Sequence, residues 1–261
     1  MKSIFKSFIV AFSMYSKIPM PRFQWASKDM EYHLCFFPMV GAVIGGIELL
    51  WIFLCRKINA SVPFANIFAV AIPLLVTGGF HVDGFMDTMD AVHSYQDKEK
   101  KLEILKDPHM GAFSVICTIS FFLIITAFSF EIKTYEGLIS VCFAFVLSRI
   151  LSGISVITFP KAKKNGMVAT ESKTGSKKIV VTVLLIELIV VSAVLIYFTF
   201  NKSFCGLIST VSFTLTFTYY YFISKKHFGG ITGDLAGFFI CISELVSLIA
   251  VAATLFVEAA I

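Results

Sequence analysis

The sequence is short of charge. Asp, Glu, Lys and Arg make up only 15% of its 261 residues, whereas soluble globular proteins average about 25%. Hydrophobic residues account for 57%, including 29 Phe, and the mean hydropathy is +0.85. This composition excludes an ordinary soluble domain and predicts a multi-pass protein that uses the lipid bilayer as its solvent.

Several motifs of soluble enzymes are also absent. The sequence has no G-x-x-x-x-G-K-[ST], no G-x-G-x-x-G and no H-E-x-x-H, so ATP hydrolysis, dinucleotide binding and zinc proteolysis have no local support. None of the six cysteines has C-x-x-C spacing. We interpret them as small apolar residues rather than disulfides or zinc ligands, because all lie in or beside apolar segments.

The long apolar segments predict an all-α fold, a helical bundle with about seven transmembrane helices. Each is close to the ~20 residues needed to cross the hydrocarbon core. They cover residues 34–55, 60–80, 111–130, 137–160, 179–200, 204–223 and 235–257. The second is the least regular, because Pro63, Asn66 and Pro73 interrupt it, and it could be a kinked or broken helix. No linker or repeat divides the chain, so we expect one domain over residues 1–261.

The N-terminal segment 3–15 is apolar along one side. In a helix, Phe8, Phe12 and Tyr15 share a face, which predicts an amphipathic helix lying in the membrane interface. An uncleaved signal anchor is the alternative, since Lys2 and Lys6 precede or interrupt the apolar run without a cleavage site after it.

Lys and Arg are distributed unevenly among the loops. Of the 22, 17 lie in the N-terminal tail and in loops 81–110, 161–178 and 224–234, while four lie in the alternate loops. The positive-inside rule therefore predicts a cytoplasmic N-terminus, cytoplasmic polar loops and an external C-terminus. We expect the protein to be located in the cytoplasmic membrane. The sequence contains no surface pattern in which basic residues alternate with aromatic ones, so nothing in it indicates a nucleic-acid partner.

The first polar loop opens with TGGFHVDGFMDTMDA. In a helix, Asp83, Asp87 and Asp90 share one face. Three like charges repel each other unless a hard cation or a basic partner neutralises them, and we assign these residues to Mg²⁺ binding. Asp90, before Asp87, is our candidate base, and His81 is the competitor. A solvated loop whose acids serve solubility is the alternative.

The third polar loop, KKHFGGITGDLAGF, places glycines before the last span. Backbone N–H groups of Gly230 and Gly233 at a helix start would bind phosphate, and Asp234 would join the metal ligands. A plain glycine turn is the alternative.

Four further residues are candidates for binding substrate phosphate. Lys161 and Lys164 open the basic second loop, where anchoring to anionic lipid is the alternative. Asp107 precedes Pro108 and could equally cap a helix. Arg149 lies inside a predicted span, and such a charge is expected to face the bundle interior. The same expectation holds for Glu48, Glu187 and Glu244.

The motifs GGFHVDGFMDTMDA, LKDPHMGAF, the LSR of a span, FPKAK and GGITGDLAG follow one another in this order. Together they resemble the cobalamin synthase family, the adenosylcobinamide-GDP ribazoletransferases, over residues 8 to 250. The resemblance implies a membrane-embedded, Mg²⁺-dependent enzyme. It would join adenosylcobinamide-GDP to α-ribazole or α-ribazole 5′-phosphate and release GMP.

Two other functions stay open at this point. A membrane phosphotransferase acting on a CDP-linked lipid would share the aspartates, although its D-x-x-D-G-x-x-A-R pattern is missing. An ion-coupled transporter would use the intramembrane charges, but should show inverted repeats of broken helices. The number of metal ions and homo-oligomer formation are also left open.

Overall fold

The structure, a computed structural model, describes residues 2–162 and 177–261. Within these ranges it has ten α-helices and a 3₁₀ turn at Ser27–Met30. The helices are α1 (Lys2–Tyr15), α2 (His33–Lys57), α3 (Val62–Thr77), α4 (Phe80–His93), α5 (Lys98–Ile104), α6 (Ala112–Ser129), α7 (Tyr135–Thr158), α8 (Lys177–Thr199), α9 (Cys205–Phe228) and α10 (Gly233–Ala260). In the described part of the chain, extended pairing is confined to one bridge between Lys161 and Ile231.

Five helices are long and apolar enough to cross a membrane, namely α2, α6, α7, α8 and α10. They coincide with five of the seven predicted spans. The predicted span 204–223 also forms a helix, α9, but its threonines, serines and tyrosines make it less apolar than these five. The prediction of an all-α, polytopic membrane bundle is therefore confirmed.

The predicted span at 60–80 is broken. α3 ends at Thr77, and the next two residues, Gly78 (φ 68°) and Gly79 (φ 79°), have left-handed backbone angles, which glycine adopts at little cost. α4 then leaves at 94° to α3, so the pair forms either one bent span or a re-entrant loop. Without α9, which is long enough but less apolar, the described residues thus supply five crossings, or six if the bent pair is one span. The break falls at the glycine pair and not at Pro73, which lies inside α3.

α7 is the central helix of the bundle. In its apolar window 72% of the residues are buried, against 17% in α8, which lies at the periphery. α2 approaches α7 closely, because a Cβ on Gly41 or Gly45 would collide with the carbonyl oxygen of Phe145 or Cys142. Such close backbone approach stabilises helix pairs in lipid, where apolar burial alone gives little driving force.

α1 forms as predicted, and part of it is packed into the protein. Val10 and Ala11 are fully buried, and the Tyr15 ring lies 4.1 Å from the ring of Phe37 on α2, measured between centroids. The far end of its apolar face is exposed, with Phe5 63% accessible. The helix therefore contacts the bundle along one part of its apolar surface and leaves the rest exposed.

Three polar loops meet at one end of the bundle. The Ala162 amide donates to the Ile231 carbonyl (3.0 Å), and the Ile231 amide donates to the Pro160 carbonyl (2.8 Å). On α4, a Cβ at Gly84 would lie 2.7 Å from the carbonyl oxygen of Asp234. The predicted loops 81–110, 161–178 and 224–234 thus contribute described residues to a common surface.

Candidate active site

The three aspartates of the first loop lie on α4. Asp83 is exposed, whereas Asp87 and Asp90 are partly buried. The opposite side of the helix is anchored by Phe85, whose ring stacks 6.1 Å from Phe238 on α10. Because apolar packing fixes that side of α4, the carboxylates are held towards the common surface of the three loops.

These carboxylates are not neutralised by the described part of the chain. None of Asp83, Asp87 and Asp90 forms an ion pair there with Lys, Arg or His. The negative charges of Asp83, Asp234 and Asp90 all act on Asp87. The arrangement is electrostatically unfavourable by itself, which is the condition under which a cation binds strongly.

The donor atoms suit a hard cation. No three His, Cys, Asp or Glu side chains of the described residues are close enough, as placed, to enclose an ion between them. Mg²⁺ does not require such a cage, since it usually keeps several waters and binds one or two carboxylates together with substrate phosphates. The all-carboxylate set on α4 and at the start of α10 therefore fits Mg²⁺ shared with a substrate better than a closed protein site.

Asp234 lies in the first turn of α10 and is partly buried. Thr232 caps this helix by accepting a hydrogen bond from the Leu235 amide (3.3 Å), and its hydroxyl donates to Asp234 Oδ2 (3.3 Å). Gly233 has open space where a Cβ would stand. The helix start is thus formed, and its first residue leaves room beside Asp234.

Gly230 has a different explanation from the predicted phosphate contact. A Cβ there would lie 2.5 Å from the Pro160 carbonyl oxygen and 2.6 Å from the Ala162 amide nitrogen. The glycine is therefore required by the backbone bridge between the second and third loops. Lys161 takes part in that bridge, and its Nζ donates to the Phe159 carbonyl at 2.6 Å. Lys164 lies outside the described residues.

Gly111, which the sequence did not single out, bounds the acidic face. A Cβ at this position would collide with the Asp90 carboxylate. Gly111 is also the N-cap of α6, so the alternative of Asp107 as a cap of α6 is wrong. Asp107 Oδ1 instead accepts from the His109 amide (2.9 Å) and contacts its ring nitrogen Nδ1 (2.7 Å). These hydrogen bonds lower the pKa of Asp107.

Arg149 pairs with a carboxylate inside the bundle. Its Nη1 donates to Glu244 Oε1 at 2.8 Å, and Ser148 Oγ donates to the same oxygen at 2.8 Å. The Arg149 side chain is 1% exposed and that of Glu244 17%. Of the two roles considered for Arg149, the geometry favours the internal ion pair over contact with substrate phosphate.

His81 is buried against Phe37 and Phe80 and has no hydrogen-bond partner at Nε2 among the described residues. It lines a cavity of about 300 Å³ whose walls are mostly apolar and which also contains Glu48 and Arg149. His81 is thus turned to the interior and not to the acidic face. This placement does not favour it as the base acting on a substrate at the surface.

Comparison with known proteins by family model and by sequence identity leads to the same family. The family model described as cobalamin-5-phosphate synthase matches residues 7–252. The chain is 40% identical over 246 residues to the adenosylcobinamide-GDP ribazoletransferase of Lachnoclostridium phytofermentans, which covers 93% of this chain and 91% of the relative. It is 30% identical over 251 residues to that of Clostridium perfringens (95% and 98% covered) and 31% identical over 255 residues to that of Clostridioides difficile (94% and 96% covered).

No solved structure matches this chain. The family match extends from α1 into α10 and so includes every element that carries the acidic face. The chain belongs to the cobalamin-5-phosphate synthase family.

Proposed function

We propose that this protein is an adenosylcobinamide-GDP ribazoletransferase of the cytoplasmic membrane. It joins adenosylcobinamide-GDP to α-ribazole or α-ribazole 5′-phosphate and releases GMP. Similarity to proteins of that name over nearly their full length is the observation that carries the proposal. The uncompensated acidic face on α4 supports it, because a diphosphate substrate arrives with charge that must be neutralised.

In this proposal Asp83, Asp87, Asp90 and Asp234 would hold Mg²⁺. The bound ion would neutralise the diphosphate and polarise the phosphorus that is attacked. The protein's own contribution is alignment: α4 and α10 fix the carboxylates on one surface, and Gly84 lets the two helices touch beside Asp234. Positioning and charge neutralisation account for most of the catalysis of phosphoryl transfer.

The reaction requires one proton transfer. A ribazole hydroxyl oxygen forms a bond to the phosphorus attached to cobinamide, and the bond from that phosphorus to the GMP oxygen breaks. The electron pair leaves with GMP, and the hydroxyl proton passes to a carboxylate of the enzyme. Carboxylates that are fully committed to the metal are poor bases, so we assign this proton to Asp90 at the end of the acidic face beside Gly111. His81 is buried away from this face.

The decisive measurement is GMP release by purified protein in lipid nanodiscs given adenosylcobinamide-GDP, α-ribazole 5′-phosphate and Mg²⁺. We expect turnover that stops with a chelator and returns with excess Mg²⁺. A CDP-linked lipid should give no CMP. Release of CMP without GMP release would instead establish the lipid-directed phosphotransferase, which the comparisons do not favour.

We further propose that the acidic face is cytoplasmic, as the distribution of Lys and Arg predicts. A cysteine introduced at Lys226, next to the common surface, should be protected from an impermeant maleimide in intact cells. One introduced at Lys202, between α8 and α9, should be labelled. The reverse pattern would invert the orientation. A cysteine introduced at Lys173, in the basic loop 161–178, should likewise be protected, although this position lies outside the described residues.

A further inference from the structure

A buried lysine joins two distant parts of the chain near the common surface. Lys101 of α5 is 6% exposed, and its Nζ lies 2.9 Å from Nδ1 of His227, near the end of α9 and 126 residues away. Among the described residues the ammonium has no other hydrogen-bond partner and no carboxylate in an ion pair. Buried charges are normally paired with an opposite charge, so this contact requires an explanation.

The contact with Lys101 determines the protonation state of His227. An ammonium group can only donate hydrogen bonds, so the imidazole accepts through Nδ1 and is neutral. Its remaining proton is on Nε2, which is then a second donor. The positive charges of Lys98 and Lys226 also act on this ring, and neither lysine has a carboxylate partner in the described part of the chain. The result is a set of donors and positive charges without a matching acid.

This basic group lies between the segments that carry the aspartates. α5 packs against α4, which bears Asp87 and Asp90, and against α9. Beyond His227 the chain continues through Gly229 and Gly230 to Asp234, where α10 begins. The two sides joined by the Lys101–His227 contact therefore each lead directly to the acidic face.

We propose that Lys101 and His227, assisted by Lys98 and Lys226, bind a phosphate group of the substrates. The site rests on the proposed function for the identity of its ligand. Two sources offer the same chemistry: the diphosphate of adenosylcobinamide-GDP and the 5′-phosphate of α-ribazole 5′-phosphate. In either case the anion would be the negatively charged partner of Lys101. The carboxylates of the acidic face would remain available to bind the metal ion.

Kinetics with two acceptors separates these sources. Lys101→Met removes the charge at similar volume and should raise KM about ten- to a hundredfold, since a hydrogen bond to a charged group is lost. If the site holds the acceptor's phosphate, KM should rise for α-ribazole 5′-phosphate and not for α-ribazole. If it holds the nucleotide, KM for adenosylcobinamide-GDP should rise with both acceptors. Lys101→Arg should recover part of the loss.

The matched control is the neighbouring residue. Lys100→Met also removes one lysine charge from α5, but Lys100 is exposed and pairs with Glu103 at 2.8 Å. We expect its kinetics to match the wild type. Equal effects of the two substitutions, or no change in any KM, would overturn the proposal.

A binding measurement keeps the site testable without turnover. GMP and inorganic pyrophosphate should each raise the Tm of the wild-type protein, and the rise should be much smaller in Lys101→Met and His227→Gln. Without ligand, Lys101→Met should be no less stable than the wild type, because an unpaired buried charge is removed. A Lys101-dependent Tm shift in a protein that never releases GMP would uphold the anion site and reject the proposed reaction. Ligand shifts identical in all variants would reject the site.

Discussion

Glu244 and the three aspartates of α4 differ in what neutralises their negative charge. Glu244 lies inside the bundle, and its carboxylate forms an ion pair with Arg149 at 2.8 Å. Asp83, Asp87 and Asp90 lie at the end of the bundle, and the described residues give them no ion pair. The charge of Glu244 is balanced by the chain itself, whereas the charges of the three aspartates are balanced only when a cation binds. Loss of charge should therefore affect stability in the first case and activity in the second.

The largest effect is expected at the acidic face. Asp87→Asn keeps the size of the side chain but removes its negative charge from the acidic face, so GMP release should fall by about 10³-fold. Thermal unfolding should be unchanged or shifted upwards, since repulsion from Asp83, Asp90 and Asp234 is relieved. Both quantities are measured on one preparation.

Glu131→Gln is the control for this substitution. Glu131 pairs with the exposed Lys133 at 2.8 Å, between α6 and α7 and away from the three loops. It should leave turnover unchanged. If Asp87→Asn keeps near-normal Mg²⁺-dependent turnover, the assignment of the acidic face to metal binding is wrong.

The internal pair should show the opposite pattern. Arg149→Met leaves Glu244 buried without its cation, which should lower the free energy of unfolding by about 3–5 kcal/mol. The protein that remains folded should keep its KM values. Unfolding by denaturant in detergent micelles measures the change.

A double variant sharpens this test. Replacing both partners, with Arg149→Met and Glu244→Gln, removes the uncompensated charge and should recover most of the stability. If the single Arg149 variant is stable but has a raised KM for adenosylcobinamide-GDP, then Arg149 contacts the substrate and the comparison drawn above fails.

The smallest effect concerns the boundary of the acidic face. Gly111→Ala introduces a Cβ where the Asp90 carboxylate lies, so the carboxylate must move and kcat should fall roughly tenfold. Gly46→Ala on α2 is the matched control, because no atom lies within 4 Å of a Cβ at that position. Equal kcat in the two variants would show that the position of Asp90 is unimportant.

Much of the fold followed from the sequence because hydrophobicity and helix length are local properties. Five spans and the helical face of Asp83, Asp87 and Asp90 required no knowledge of tertiary contacts. A broken second span was also expected, but its interruption was attributed to Pro63, Asn66 and Pro73, whereas the left-handed glycines Gly78 and Gly79 cause the break.

The candidate site was less predictable where it depends on contacts between distant residues. The partner of Arg149 is 95 residues away, and the partner of Lys101 is 126 residues away. No local pattern distinguishes Lys101 from its exposed neighbour Lys100. Gly230 was expected to bind phosphate, but close approach of Pro160 already accounts for it. Such roles depend on which backbone segments meet, and the sequence pattern of one segment does not contain that information.

The packing of α1 has a consequence for modular design. A surface anchor is interchangeable with any helix of similar amphipathicity, because the membrane recognises only the average of its side chains. α1 is not of this kind: Val10 and Ala11 are sealed within the protein, and the Ser7 hydroxyl donates to the Asp29 carbonyl at 2.7 Å. A chimera carrying a foreign amphipathic helix would still reach the membrane, but it would lose the packing of the Tyr15 ring against Phe37 of α2.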